Sequence, residues 1–191
     1  MDLRWSCAGC KLPGMEPPEM INAGDLVLKR WEPEWAPEAT AAVRESLPEL
    51  KPWMPWANDG YDLAASRSYI DRSVESWAAG TEFNYALFTT VGDVIGSIGL
   101  MTRVGPGALE IGYWIRTPWA GRGHMTAAVR VLTRVALTLP GIDRVVIRHD
   151  AANLASGRVA EKAGFVETER LAVDPTTPAG SGTEILREFK P

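Results

Sequence analysis

GYWIRTPWAGRGHMTAAVRVLTRVAL, residues 112–137, runs from an apolar strand pattern through Pro118 into two glycines flanking a cation, Gly121-Arg122-Gly123, and then into a long amphipathic stretch without an acidic residue. Met125, Ala128, Val129, Leu132, Ala136 and Leu139 recur at helical spacing and form one apolar face. Arg130 and Arg134 lie on the other face, where they suit the negative C-terminal half of a helix. Only Arg122 stands at the end that already carries positive partial charge. An anion at the helix start removes the conflict, because free backbone N–H groups near 122–126 would point at it and the two glycines would let it approach closely. A solvated arginine in a flexible loop is the plainer alternative, at a dipole penalty of about 0.3–1 kcal/mol.

Working outward, the chain reads as one mixed α/β (α+β) domain. Residues 1–22 look irregular and rich in Pro and Gly, so the domain is expected over 23–191. DLVLKRW (25–31) alternates as a strand, residues 33–47 suggest a helix delayed by Pro37, and the Pro- and Trp-rich stretch 48–59 cannot be regular helix throughout. Asp62 caps a helix to about Ala79 that Gly80 stops. Strand patterns follow at 82–90, 94–102 and 108–116, then the glycine loop and a helix to about Leu139. A strand at 143–149, a helix from Leu154 to Ala163 stopped by Gly164, and strands at 165–173 and 183–189 complete the chain. The expectation is a mixed, mostly antiparallel sheet of about seven strands flanked by about four helices.

The 191 residues suffice for one domain with a real core, and the 46% apolar and 23% charged composition is ordinary. The net charge of −4 argues against nucleic acid or an anionic membrane as partner. No stretch approaches the roughly 18 apolar residues of a membrane helix. The N-terminus lacks the apolar core of a secretory signal, so a cytoplasmic location is expected. Both cysteines sit in Cys7-Ala-Gly-Cys10, far from His124 and His149, so no four-ligand metal set is apparent and none is expected. Met15, just beyond, is an alternative start. The loop is no nucleotide P-loop, lacking G-x-x-x-x-G-K-[ST], and no Rossmann fingerprint, lacking a third glycine at the required offset.

EIGYWI (110–115), WAGRGHMT (119–126) and NLASGRVAEKAGF (153–165), in that order, resemble the GNAT superfamily of acyl-CoA-dependent N-acetyltransferases, most nearly its RimJ/RimL type. SLPELKPWMPWA (46–57) and VIGSIGL (94–100) also look like that branch, and the resemblance covers about residues 24–190. It implies acetyl-CoA as co-substrate. Its pyrophosphate would lie on Gly121 and on the backbone amides of Arg122, Gly123, His124, Met125 and Thr126. Its pantetheine would pair with exposed backbone of a splayed strand around Trp114, Ile115 and Arg116, and Asn153 would hold it from the other side. The loop departs from the family's Q/R-x-x-G-x-G/A in having Ala120 first and Met125 last. A tyrosine that protonates the leaving thiolate in many members is Ala160 here, and Ser156 is the substitute donor that the RimJ/RimL-like pattern implies.

Transfer from a thioester to an amine requires a deprotonated, positioned amine and stabilisation of the departing thiolate. Glu110, on the strand beside the splay and on the opposite face from Leu109 and Ile111, is the candidate base, acting through water, with a surface carboxylate on a half-exposed strand as the alternative; Asp150 is a weaker candidate. Trp53 and Trp56 are candidates for the acceptor-site wall, with anchoring of a Pro-rich loop as the alternative. Tyr113 and Trp114 read as packing rather than chemistry, and His149 as a satisfied structural histidine. The resulting expectation is an N-acetyltransferase acting on a primary amine, a protein N-terminus or a small molecule, by direct attack in a ternary complex. An acyl-CoA-binding sensor without turnover is the alternative that Ala160 invites. Exposed edge strands of such a sheet allow a homodimer.

Overall fold

Eight strands join in one sheet in a computed structural model that describes residues 16–191. In chain order they are β1 (Met20–Ala23), β2 (Leu26–Arg30), β3 (Glu82–Thr89), β4 (Val94–Met101), β5 (Ala108–Ile115), β6 (Arg144–Asp150), β7 (Val166–Ala172) and β8 (Thr183–Phe189). Their spatial order is β1-β2-β3-β4-β5-β6-β8-β7, and every neighbouring pair is antiparallel except β5 with β6. The helices are α1 (Ala36–Glu45), the single turn α2 (Leu47–Leu50), α3 (Leu63–Ala79), α4 (His124–Ala136) and α5 (Leu154–Ala163).

Period-two alternation sorts the sheet into two buried faces. Leu28, Leu87, Ile98, Leu100, Leu109, Ile111 and Val145 meet the apolar faces of α4 and α5, through Met125, Ala128, Val129, Leu132 and Ala160. Ala86, Phe88 and Val94 turn the other way, against Trp31, Ala36 and Ala39 and against Ile70 of α3. The predicted helix ends hold. Asp62 Oδ1 accepts the Ala65 N–H at 2.9 Å, and Gly80 and Gly164 close α3 and α5 in left-handed conformations, φ 71° and 99°.

One boundary needs correction. Residues up to 22 were expected to be irregular and about seven strands were expected, but Met20–Ala23 is an eighth strand, pairing Ile21 with Leu28 and Ala23 with Leu26. Gly24-Asp25 makes the two-residue turn, Gly24 with φ 67°, and burial of Ile21 and Ala23 stabilises the pairing. The Cys7–Cys10 pair and Met15 lie outside the described residues.

Candidate active site

The parallel pair β5–β6 is joined only at Ala108↔Arg144, Leu109↔Val145 and Glu110↔Val146. Beyond Glu110 the two strands diverge, although β5 runs on to Ile115 and β6 to Asp150. The predicted splay is therefore present, and it leaves strand backbone without a neighbour on the β6 side. Arg116 does not contribute its amide to that edge as expected, because its N–H donates to Ile95 O on β4 at 2.8 Å. By strand alternation the backbone groups of Tyr113 and Ile115 face the gap.

Past β5 the chain makes a short 3-10 turn (Thr117–Trp119) and enters the glycine loop. Gly121 and Gly123 have φ of 75° and 84°, a region that only glycine enters without strain, and a Cβ on either would meet open space. Gly123 precedes α4 without any side-chain cap, and no acidic residue occupies the first turn. Among the described residues no group accepts a hydrogen bond from the N–H groups of Gly121, Arg122, Gly123, His124, Met125 or Thr126; the next amide, Ala127, bonds to Gly123 O at 3.0 Å. Six successive donors at a helix N-terminus form a site for an anion of diphosphate size. Arg122 is exposed and forms no ion pair among the described residues; its guanidinium lies 5.4 Å from the Trp119 ring centre, and His124 lies 5.6 Å from the same ring.

A cavity of about 990 Å³ opens through the splay on the α1–α3 side of the sheet. The glycine loop does not line it. Its floor is nearly bare, since Gly99 of β4 and Gly112 of β5 are directly paired. Glu110, Gly112 and Trp114 alternate along β5 toward this cavity, while Tyr113 and Ile115 pack on the α4–α5 core. Trp53 and Trp56 line it. The Trp114 side chain, predicted on the cofactor side, stands in the same wall with its ring 6.2 Å from Trp56. The β7–β8 loop closes part of the mouth. Ala179 N–H donates to Pro52 O at 3.1 Å, and Val173, Pro175 and Thr177 line the space.

Glu110 is not the surface carboxylate of the alternative reading. It is 3% exposed and gripped by Arg103, whose Nε donates to Oε2 at 2.9 Å and whose Nη2 donates to Oε1 at 2.5 Å. Arg148 stands 3.7 Å from Oε2. The buried charge is therefore neutralised by two guanidinium groups, and lone pairs on each oxygen stay available. Neither arginine was singled out from sequence. Arg148 was legible in principle, as an even-numbered neighbour of Val146 on the same face of β6.

Ser156 and Asn153 meet at the start of α5. Asn153 Oδ1 accepts the Ser156 N–H at 3.1 Å, so the capping role is present, and both residues line the cavity. The unforeseen partner is Tyr113. Its hydroxyl lies 3.0 Å from Ser156 Oγ and 3.1 Å from Ser156 O. Burial pushes the Tyr113 hydroxyl up to about 12, against a smaller opposing effect of the Ser156 hydrogen bond, so it stays protonated. Sequence read Tyr113 as packing because strand periodicity shows the face a residue takes and not what its far end reaches.

His149, read from sequence as structural, and Asp150 stand together at the end of β6. His149 Nδ1 bonds Asp150 O at 2.9 Å and its Nε2 accepts from Arg187 Nε at 3.1 Å, which fixes a neutral ring. Asp150, the weaker base candidate, accepts the Ala152 and Ser181 N–H groups, each at 2.8 Å. Burial pushes its carboxyl up, but those hydrogen bonds outweigh it and hold the group below the ordinary value. It lines the cavity, and its two accepted bonds tie the β7–β8 loop to the turn before α5. Among the described residues no cluster of three or more His, Cys, Asp or Glu suits a metal ion, and no helix is long and apolar enough to cross a membrane.

A family model described as "Acetyltransferase (GNAT) domain" matches residues 25–166. The curated protein "Probable N-acetyltransferase YjcK" of Bacillus subtilis (strain 168) is 34% identical over 113 residues, which take in 57% of this chain and 62% of that protein. The fold matches a microcin C7 self-immunity acetyltransferase, MccE, solved with acetyl-CoA and AMP (TM-score 0.83, 19% identity, 91% of this chain and 97% of that one). It matches equally RimL, an α-N-acetyltransferase of ribosomal protein L7/L12 solved with coenzyme A (TM-score 0.83, 19% identity, 90% and 98%).

Proposed function

This chain belongs to the GNAT acetyltransferase domain family, and from that premise we propose that it transfers the acetyl group of acetyl-CoA to a primary amine by direct attack in a ternary complex. The observation that carries the reading is the row of six unengaged amides at 121–126, set at the mouth of a splay that leads to Glu110 and Ser156. The relatives' ligands agree with it, coenzyme A in RimL and acetyl-CoA in MccE.

The residues present fit the co-substrate. The amides of Gly121 to Thr126 would hold its diphosphate, with Arg122 adding charge. The β6-facing backbone of Tyr113 and Ile115, with Asn153 opposite, would take the pantetheine. When bound it supplies an activated acyl carbon and a thiolate leaving group. Glu110, through a water, takes the proton that the attacking amine must lose. Arg103 and Arg148 keep the carboxylate oriented. The Ser156 hydroxyl donates to the departing sulfur, and Tyr113 holds that hydroxyl in place. This pair stands in for the tyrosine absent at Ala160, which weighs against a sensor without turnover. Trp53, Trp56 and Trp114 wall the acceptor side.

The acceptor is a peptide N-terminus or a small amine. The test is thiol release from acetyl-CoA over a panel of both, with products read by mass spectrometry. Acetylated product confirms the activity and names the acceptor class. Binding of acetyl-CoA without product on any amine overturns it in favour of the sensor.

A further inference from the structure

Asn84, on β3, is 9% exposed, and its carbonyl oxygen lacks a donor. Its Nδ2 donates to Glu82 Oε2 at 3.1 Å and lies 3.5 Å from Ser73 Oγ, whereas no described residue donates to Oδ1. Rotating the amide would set Oδ1 against the Glu82 carboxylate, so the orientation is fixed by charge. Asn84 lines the acceptor cavity. It pairs with Gly99, which pairs in turn with Gly112, the second β5 residue past the last rung shared with β6. The side chain lies across Gly99 so closely that a Cβ there would stand 2.0 Å from Oδ1. The bare Gly99 therefore lets an acceptor atom of a largely buried residue extend over the sheet toward the strand that opens the splay. That oxygen is open to the cavity and has no donor among the described residues, so a ligand N–H can reach it.

The acceptor amine supplies such a donor. A primary ammonium carries three N–H bonds. One proton must leave to free the lone pair for attack, and a second leaves toward Glu110 as the amide forms. The third persists in the product and is free to bond throughout. An N-methylated amine has no third N–H. Building on the acetyltransfer reading above, we propose that Asn84 Oδ1 receives this persistent N–H, making Asn84, supported by Glu82 and enabled by Gly99, the residue that selects primary over secondary amines.

The test compares matched pairs, benzylamine with N-methylbenzylamine and a peptide with its N-methylated form, using wild type, Asn84→Leu, Asn84→Asp combined with Glu82→Gln, and Gly99→Ala. The readouts are kcat/KM, acetyl-CoA affinity and binding of the amine to protein saturated with coenzyme A. Wild type should favour each primary amine by about tenfold or more, the worth of one hydrogen bond to a buried partner. Asn84→Leu and Gly99→Ala should lower kcat/KM and binding for the primary amine about tenfold relative to the methylated one and keep acetyl-CoA affinity. The double variant Asn84→Asp with Glu82→Gln, which retains the acceptor atom and gives the second oxygen a donor at position 82, should keep the preference. Gly99→Ala serves if Asn84→Leu does not fold. An unchanged primary-to-secondary ratio in the variants, beside an active wild type, overturns the role of Asn84 alone. A wild type that binds acetyl-CoA but acetylates no amine overturns the acetyltransfer reading and this one with it.

Discussion

Single side chains carry the chemistry, and two of them make separable predictions. Ser156→Ala should lower kcat by about ten- to a hundredfold while leaving acetyl-CoA affinity intact, because the hydroxyl is needed when the sulfur leaves and not while the cofactor rests. Tyr113→Phe should lower kcat less, since it loosens Ser156 without removing it; single-turnover kinetics on both variants check the order. His149 predicts a pH dependence of stability. Burial lowers its pKa below the ordinary 6.5, and the neighbouring Arg187 adds to this against the opposing Asp150 backbone contact. The unfolded chain then binds the proton more readily than the folded one. The stability contributed by the neutral ring is complete above 6.5 and is lost as pH falls through the lower folded value. Melting temperature should drop on acidification below 6.5, and His149→Gln should flatten that limb. Legibility at this scale was uneven. Asn153 and Ser156 could be placed by their spacing at a helix start, whereas the Arg103 grip on Glu110 joins residues across a strand and a loop, and no local pattern encodes it.

Elements, by contrast, were mostly legible, because each carried its own punctuation. Asp62 and Gly80 bounded α3, Gly164 ended α5, and the apolar ridge of α4 ran from Met125 as expected. The missed element, β1, has only four residues and one strongly apolar side chain, Ile21, turned to the core. Its signal was the Gly24-Asp25 turn, the same pair of residue types that marked the β3–β4 hairpin at Gly92-Asp93. Truncating its core anchor, Ile21→Ala, should cost about 2–4 kcal/mol of stability, measured by urea unfolding. The glycine loop is the element on which the proposed cofactor binding turns. Gly123→Val places a β-branched residue at φ 84°, at a cost of order 1–3 kcal/mol. It should weaken acetyl-CoA binding at least tenfold by calorimetry, with α4 and the core otherwise intact.

At the scale of the whole molecule the two faces of the sheet divide the labour. The α4 end presents amides to solvent, the α1–α3 side encloses the cavity proposed for the acceptor, and the divergence of β5 from β6 connects them. The sheet's general architecture followed from the order of strand and helix patterns. The roof over the cavity did not, because Pro52 and Ala179 are distant in sequence and meet only through backbone atoms, which leave no trace in residue type. If the cofactor binds this folded frame and not the unfolded chain, acetyl-CoA at a hundred times its dissociation constant should stabilise the protein by about 2.7 kcal/mol. The most direct trial of the central claim is an amide-resolved NMR titration of the protein with coenzyme A. The account predicts that the 121–126 amide resonances shift furthest and saturate together, with Ile115 and Asn153 following. Saturable binding that leaves the 121–126 amides unmoved would contradict it.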